Sequence, residues 1–409
     1  MNSRVQAWCA AAVLAAASTA THALPAFSSV IILGDSISDS GNNSIVFDTL
    51  GAQDPGALPT PVPPGLRTPV PVPNQYTGFS LVPTYPYPTR QFTPAVPFDR
   101  YTNGFVWAES FAAGLGLTAL PSLFPGIPNV APPGTNFAFA GARTGPAGSG
   151  FPFSLTDQAL FFAAGLQGQP APSSALYVVA GGGNNARDTV TDLIGAALGG
   201  ATPAQLEQLI DAAALAYALD IQGILTLLQQ LGATSIVVWN APDAGTAPAI
   251  LAGAPFFDPL FQALLGETFA GTATDVSERM NEALTKVLGQ FAGVRLFDLF
   301  ALVDDVVAHP STYGLLNVDA PCAALPLVPD PSNPGAPFCD PSKFLFWDGI
   351  HPTSAGHLII GDAMLALVPE PSSIALLLIA MLGSLVVSHR RIRVRPDPVA
   401  RQQLPKNGT

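Results

Sequence analysis

Residues Ser29 to Asn43 read SVIILGDSISDSGNN, a short apolar, β-branched run that passes without a break into a polar, glycine-containing turn. A run of that length suits a buried strand and is too short for a helix. The pattern recurs at Ala175 to Ala180 (ALYVVA), Ser235 to Trp239 (SIVVW) and Val294 to Asp298 (VRLFD). Between these runs the hydrophobic spacing is helical. It is clearest from Pro203 to Leu231, where Thr202 can cap, Pro203 takes the first helical position and Gln205 completes a capping box. Phe256 to Phe291 and Thr353 to Leu367 read as further helices. Strands alternating with helices predict an α/β domain on a mainly parallel sheet closed by right-handed crossovers.

In such a sheet, functional groups gather beyond the C-terminal ends of the strands, and Ser36 stands there directly after Gly34 and Asp35. A following helix N-terminus would favour negative charge beside its hydroxyl. A serine in that place can equally cap the helix, so the reading turns on a distant partner. Trp347 to His357 (WDGIHPTSAGH) supplies one, because Asp348 and His351 are three apart in a Pro- and Gly-marked loop. A tight turn there brings both side chains to one side, and the carboxylate can hold the imidazole while its other nitrogen faces outward. Once the two ends are set aside, His309, His351 and His357 are the candidate catalytic histidines, and only His351 has an acid at this spacing. His357 reads as a structural helix histidine. No Cys/His cluster has zinc-ligand spacing, so no metal site is expected.

The chain has 409 residues with a formal net charge of -12 and only 11% charged side chains, a sign that argues against nucleic acid. Arg4, the apolar run Ala7 to Ala17 and the small residues around His22 read as a cleaved signal peptide over 1-23. At the other end Pro369 to Pro371 form a Pro-Glu-Pro triplet. The apolar stretch 374-387 and the basic residues Arg390, Arg391, Arg393 and Arg395 follow it. This order resembles the PEP-CTERM sorting signal, here spanning 369-395 ahead of a polar tail at 396-409. The resemblance implies processing by an exosortase-type protease and transient membrane contact through the C-terminal segment, with the protein left at the cell surface or outside the cell; a plain membrane anchor is the alternative. The segment Leu24 to Pro369 then holds nine Lys and Arg against 26 Asp and Glu, a net of -17 that favours solubility. Its two cysteines, Cys322 and Cys339, bracket one Pro-rich loop; in an exported chain they read as a disulfide, with two free thiols the alternative. Within the domain 24-368, residues 55-97 hold thirteen prolines and several aromatics. They cannot form a central strand or a helix, which leaves a linker or a packed excursion beside the site.

Taken together the motifs resemble the SGNH, or GDSL-type, esterases and lipases. The likeness runs from about Val30 to Leu367. GDSISDSGNN looks like the family's first block with Ser36 as nucleophile, Ile37 replacing the usual Leu. YTNGFVWAESFAAGLGL from Tyr101 resembles its Asn-Gly-x-x-Trp stretch, and GTNFAFAGA resembles the second block, which implies that the Gly141 amide serves the oxyanion hole. AGGGNNARD resembles the third block, which makes Asn184 the side-chain oxyanion donor and puts Asn185 where Asp is frequent. VVWNAPDAGTAPA resembles the segment before the family's variable lid, and DGIHPTSAGH resembles the last block, carrying Asp348 and His351. The resemblance implies a three-layer α/β/α fold of flavodoxin-like type and hydrolysis of carboxylic esters through an acyl-enzyme. Ser36, Gly141 and Asn184 would form the oxyanion hole, and no cofactor would be needed. Asp39 and Asn42 read as residues that fix the nucleophile loop by Asx-type bonding. A carbohydrate O-deacetylase acting on exopolysaccharide and a non-catalytic surface- or matrix-binding protein are the competing readings.

Overall fold

The computed structural model describes residues 27–50, 86–87, 89–123, 134–146, 151–324, 331–332 and 338–368. The expected signal peptide, the sorting signal with its membrane segment 374-387, the polar tail and most of the Pro-rich segment lie outside the described residues. Phe27–Val368 forms one compact unit.

Four parallel strands lie side by side in chain order: β1 (Val30–Gly34), β2 (Leu176–Ala180), β3 (Ser235–Trp239) and β4 (Val294–Phe297). Successive side chains point to opposite faces, and on β1 to β3 both faces are covered, which is why those strands read as continuous apolar runs, whereas β4 is only partly buried and exposes Arg295. Ile31, Leu33, Tyr177, Val179, Ile236 and Val238 fill one core. The helices over that face are α3 (Leu155–Gly165), α4 (Gly183–Leu198), α5 (Pro203–Gln230), α6 (Pro248–Leu265) and α7 (Phe269–Leu288). Val30, Ile32, Leu176, Val178, Val237 and Trp239 fill the other core, against α2 (Trp107–Gly114) and α9 (Ser354–Leu367). These are the three layers the sequence predicts. The other helices are α1 (Asn42–Leu50), after the first turn, α8 (Leu299–Ala308), which follows β4, and a single turn at Thr89–Phe92, which corrects the expectation that residues 55-97 hold no helix: the four residues TRQF lie between prolines and contain none.

The free edge of β1 is occupied by an irregular strand. Ile32 donates its N–H to Thr135 (3.0 Å), Phe137 donates to Ile32 (2.7 Å) and Phe139 to Gly34 (3.2 Å). β1 therefore sits between residues 135–139 and β2, a topological switch point of the kind that opens a crevice beyond the strand's C-terminal end. Gln158 of α3 seals that end, accepting from the Gly34 N–H and donating to the Gly34 carbonyl, both at 2.8 Å.

Two further local expectations are corrected. Phe256 to Phe291 is not one helix. Gly266, at φ 78°, closes α6 in the left-handed conformation, and Thr268 caps α7 by accepting from the Gly271 N–H at 3.0 Å. Apolar spacing that runs on across Gly266 hides this break. Nor does a helix begin at Ser36: the chain first makes a turn in which the Asp35 carbonyl accepts from Ser38 and Asp39, and α1 starts only at Asn42.

Candidate active site

The nucleophile turn is held by its own polar side chains. Asp39 Oδ1 accepts from the Gly41 and Asn42 amides (2.8 and 2.6 Å), and its Oδ2 accepts from Asn43 (3.1 Å) and Ala140 (3.4 Å). Asn42 Nδ2 reaches across to the Asn136 and Ala138 carbonyls, both at 2.9 Å. These two side chains fasten the turn to residues 136–140. The Asn-Gly-x-x-Trp stretch adds two ties. Trp107 Nε1 donates to Ser38 Oγ (3.0 Å), and Asn103 pairs with Ser354 at the start of α9, donating to its hydroxyl (3.1 Å) and accepting its N–H (2.9 Å).

Around Gly141 every backbone group but one has a protein partner. The Ala140 N–H donates to Asn43 Oδ1 (3.1 Å) as well as to Asp39, and the Ala140 carbonyl accepts from Asn43 Nδ2 (3.4 Å). The Gly141 carbonyl accepts from Arg143 Nη1 (2.9 Å), the Ala142 N–H donates to Phe139 (3.1 Å), and the Ala142 carbonyl accepts from Asn184 Nδ2 (2.9 Å). Of the backbone groups of residues 140–142, the Gly141 N–H alone has no partner among the described residues. In a trans peptide that N–H points opposite to the Ala140 carbonyl, which Asn43 holds. Gly141 lies at φ 83°, and a Cβ there would meet Pro152 Cγ at 3.2 Å. The left-handed backbone, more than close approach, is what requires glycine.

Asn184 stands in the first turn of α4, behind Gly182 at φ 133°. One proton of its amide is bound to Ala142, which orients the group and leaves the second for a ligand. Asn185 is engaged differently: its Oδ1 accepts the Thr144 N–H (3.1 Å) and its Nδ2 donates to Thr144 Oγ1 (3.0 Å). Asp348 Oδ1 accepts from the Ile350 and His351 amides (2.9 and 2.7 Å), and its Oδ2 lies 2.6 Å from His351 Nδ1. A carboxylate at that distance fixes the proton on Nδ1, so Nε2 carries the lone pair. His351 is 1% exposed, and its Nε2 has no partner among the described residues.

Ser36, Asn184 and His351 line one cavity of ≈ 110 Å³. Its other walls are mainly apolar, with Ile37, Val190, Ile250, Leu299, Phe346 and Ile360 among them; the charged groups are Asp35, Arg187 and Asp243. Burial pushes the Asp35 carboxyl up to about 6 against the Ile37 N–H and the charges of His351 and Arg187. Burial likewise pushes Asp39 up to about 6 against its backbone donors. His357 is pushed down to about 3, first by burial and then by the His351 and Arg100 charges; its Nδ1 accepts the Trp107 N–H at 3.3 Å. This is the bonding of a neutral structural histidine. His309 is exposed and pairs with Asp305 at 2.9 Å on α8.

Cys322 and Cys339 are joined by a disulfide, and both are fully buried. They cluster with Tyr87 and Trp347, next to Asp348. Tyr87 donates its hydroxyl to Asp348 Oδ2 at 2.9 Å, and Tyr101 lays its ring 5.4 Å from the His351 imidazole while its hydroxyl accepts from Asn43 Nδ2 at 3.0 Å. Sequence reading found neither tyrosine nor Asn43. For Asn43, its place beside Asn42 in GDSISDSGNN was the available signal; the tyrosines carry none.

A family model described as GDSL-like Lipase/Acylhydrolase matches residues 30–364. A GDSL esterase/lipase of Arabidopsis thaliana is 31% identical over 154 residues, 35% of this chain and 39% of its own. Esterase EstA of Pseudomonas aeruginosa is 28% identical over 390 residues, 90% of this chain and 51% of its own. An uncharacterized protein in the trpE-trpG intergenic region of Pseudomonas putida is 29% identical over 377 residues, 89% and 52% respectively. The chain thus spans about half the length, or less, of these curated relatives.

Proposed function

Since the chain belongs to the GDSL-like lipase/acylhydrolase family, we propose that it is an exported serine ester hydrolase working through an acyl-enzyme. One observation carries this reading. The buried lone pair of His351 Nε2 has no partner among the described residues, although its ring is held from behind by Asp348, and it shares a cavity with the Ser36 hydroxyl and Asn184. An unsatisfied buried acceptor costs stability, and catalysis is a reason to keep one.

The steps follow from those roles. His351 Nε2 takes the Ser36 proton as Oγ attacks the ester carbonyl carbon, and Asp348 stabilises the imidazolium that results. Negative charge gathers on the carbonyl oxygen, for which the Ser36 and Gly141 N–H groups and the second Asn184 proton are donors not used elsewhere among the described residues. The imidazolium returns its proton to the leaving alcohol as the acyl–oxygen bond breaks. Water deprotonated by His351 then attacks the acyl carbon, the acyl–Oγ bond breaks as the imidazolium returns its proton to Ser36, and the carboxylic acid departs. Residues of this chain supply every proton transfer.

Apolar cavity walls support acyl or aryl esters over a sugar-lined substrate. The signal-like N-terminus and the PEP-CTERM-like tail support export and release at the cell surface. The test is an ester panel, from short to long acyl chains plus acetylated glycans, run on wild type and Ser36→Ala. Turnover of acyl esters should fall by about 10⁶-fold in a folded Ser36→Ala protein. Retained turnover would sink the assignment, and preference for the acetylated glycan would turn it to O-deacetylation.

A further inference from the structure

The Pro-rich segment has no place in the mechanism above, yet its last part brings a phenol to the catalytic carboxylate. We propose that Tyr87 is a positioning residue for the Asp348–His351 pair, acting as the fourth hydrogen-bond donor to Asp348. The proposal rests on the reading of that pair as acid and base. It gives residues 86–97 a part in the reaction that the resemblance does not assign.

A carboxylate offers about four lone-pair sites. Three donors to Asp348 come from its own loop: the Ile350 and His351 amides on Oδ1, and His351 Nδ1 on Oδ2. Tyr87 Oη at 2.9 Å fills the remaining site on Oδ2, the oxygen that faces the imidazole. The phenol is held in place from several directions. Tyr87 forms an antiparallel bridge with Arg100, its N–H donating to the Arg100 carbonyl (2.7 Å), and its own carbonyl accepts from the Thr89 N–H (2.7 Å). The ring is fully buried. It stands edge-on to Trp347 with centroids 5.8 Å apart and packs beside Cys322 and Cys339.

The consequence is electrostatic as well as geometric. Each donor lowers the proton affinity of a carboxylate. With the phenol in place, Oδ2 divides its accepting capacity between Tyr87 Oη and His351 Nδ1. Without the hydroxyl, Asp348 would bind the imidazolium more strongly, and His351 would lose its proton only at higher pH.

Tyr87→Phe in the full chain keeps the ring and removes the hydroxyl that donates to Asp348. The acid limb of kcat/KM should move to higher pH by roughly 0.5 to 1 unit, with kcat on the plateau about 10-fold lower and KM unchanged. A hydroxyl with a merely structural role would lower Tm and leave the limb in place. Fluorotyrosines at position 87 keep both ring and hydroxyl, so they test the same point should Tyr87→Phe fail to fold. As the phenol becomes a stronger donor, the limb should move to lower pH. An unmoved limb in folded Tyr87→Phe, or one that ignores phenol acidity, overturns the proposal. Loss of turnover in Ser36→Ala alongside such a result would leave the hydrolase reading intact, whereas an active Ser36→Ala would remove both.

Discussion

His357 provides a test of burial that does not depend on activity. It is 1% exposed inside α9, accepts the Trp107 N–H, and is held about 3.5 pH units below the ordinary histidine value of 6.5. The folded protein thus binds fewer protons here than the unfolded chain. This contribution is complete above pH 6.5 and is lost progressively as pH falls toward 3. Two pH units below 6.5 the loss is about 3 kcal/mol, at roughly 1.4 kcal/mol per unit. Asp35 and Asp39 act in the opposite sense: their raised values let the folded state bind protons first, so stability grows as pH falls from about 6 toward 3.8. His357→Asn separates the two effects. The Asn carbonyl can take over the Trp107 N–H, the new side chain does not titrate, and the aspartate contributions cancel between wild type and variant. Urea denaturation followed by Trp fluorescence at pH 7 and pH 4.5 measures the difference. The advantage of wild type over variant should shrink by about 3 kcal/mol on acidification. A difference that stays constant would mean that His357 is not kept neutral by its surroundings.

The two neighbouring asparagines should separate cleanly in kinetics. Asn184→Ala should lower kcat by about 10² to 10³-fold with little change in KM, while Asn185→Ala, whose amide is spent on Thr144, should act mainly on stability. The reverse ranking would move the oxyanion donor by one residue. Reduction of the Cys322–Cys339 bond should cost roughly 3 kcal/mol for a loop of this length, read as a fall in the denaturation midpoint. It should also lower kcat, because Cys322 and Ala323 donate to the Phe346 and Trp347 carbonyls (3.0 and 2.8 Å) and brace the loop that carries Asp348. Equal midpoints for the oxidised and reduced protein would contradict the first effect, and an unchanged kcat the second.

β1 to β3 could be read in advance because each is buried on both faces, so its apolar run is uninterrupted and its length alone marks it, while β4, broken by the exposed Arg295, was marked by its β-branched and aromatic residues. Asp348 and His351 were readable because their contact is local, three residues apart, and the Asx-type bonding of Asp39 is local too. What escaped the sequence are contacts whose partners lie far apart. Gln158 closes β1 from 124 residues away, Asn43 grips Ala140 from 97, and Tyr87 meets Asp348 from 261. No periodicity couples such positions; only the completed packing brings them together. The break at Gly266 was missed for a different reason, since hydrophobic spacing records which face is buried and not where the backbone reverses.

The arrangement also shows how the fold concentrates unmet hydrogen-bonding capacity at one place. Asp39, Asn42, Asn43 and Arg143 satisfy their neighbours so fully that, of the backbone groups of residues 140–142, only the Gly141 N–H is left without a partner among the described residues. The Ser36 amide and the second Asn184 proton are likewise unused among the described residues, and His351 keeps a buried lone pair without a partner. Each unmet buried polar group costs about 1–3 kcal/mol, so the resting site is less stable than a fully paired core would be. In the proposed mechanism that deficit is relieved at both places in one step: the Ser36 proton passes to Nε2 as Oγ attacks, and the oxyanion that forms meets the donors. Polar satisfaction of the surrounding loops is therefore what makes the site selective for the transition state, because loops with slack could turn these same groups inward and pair them with one another.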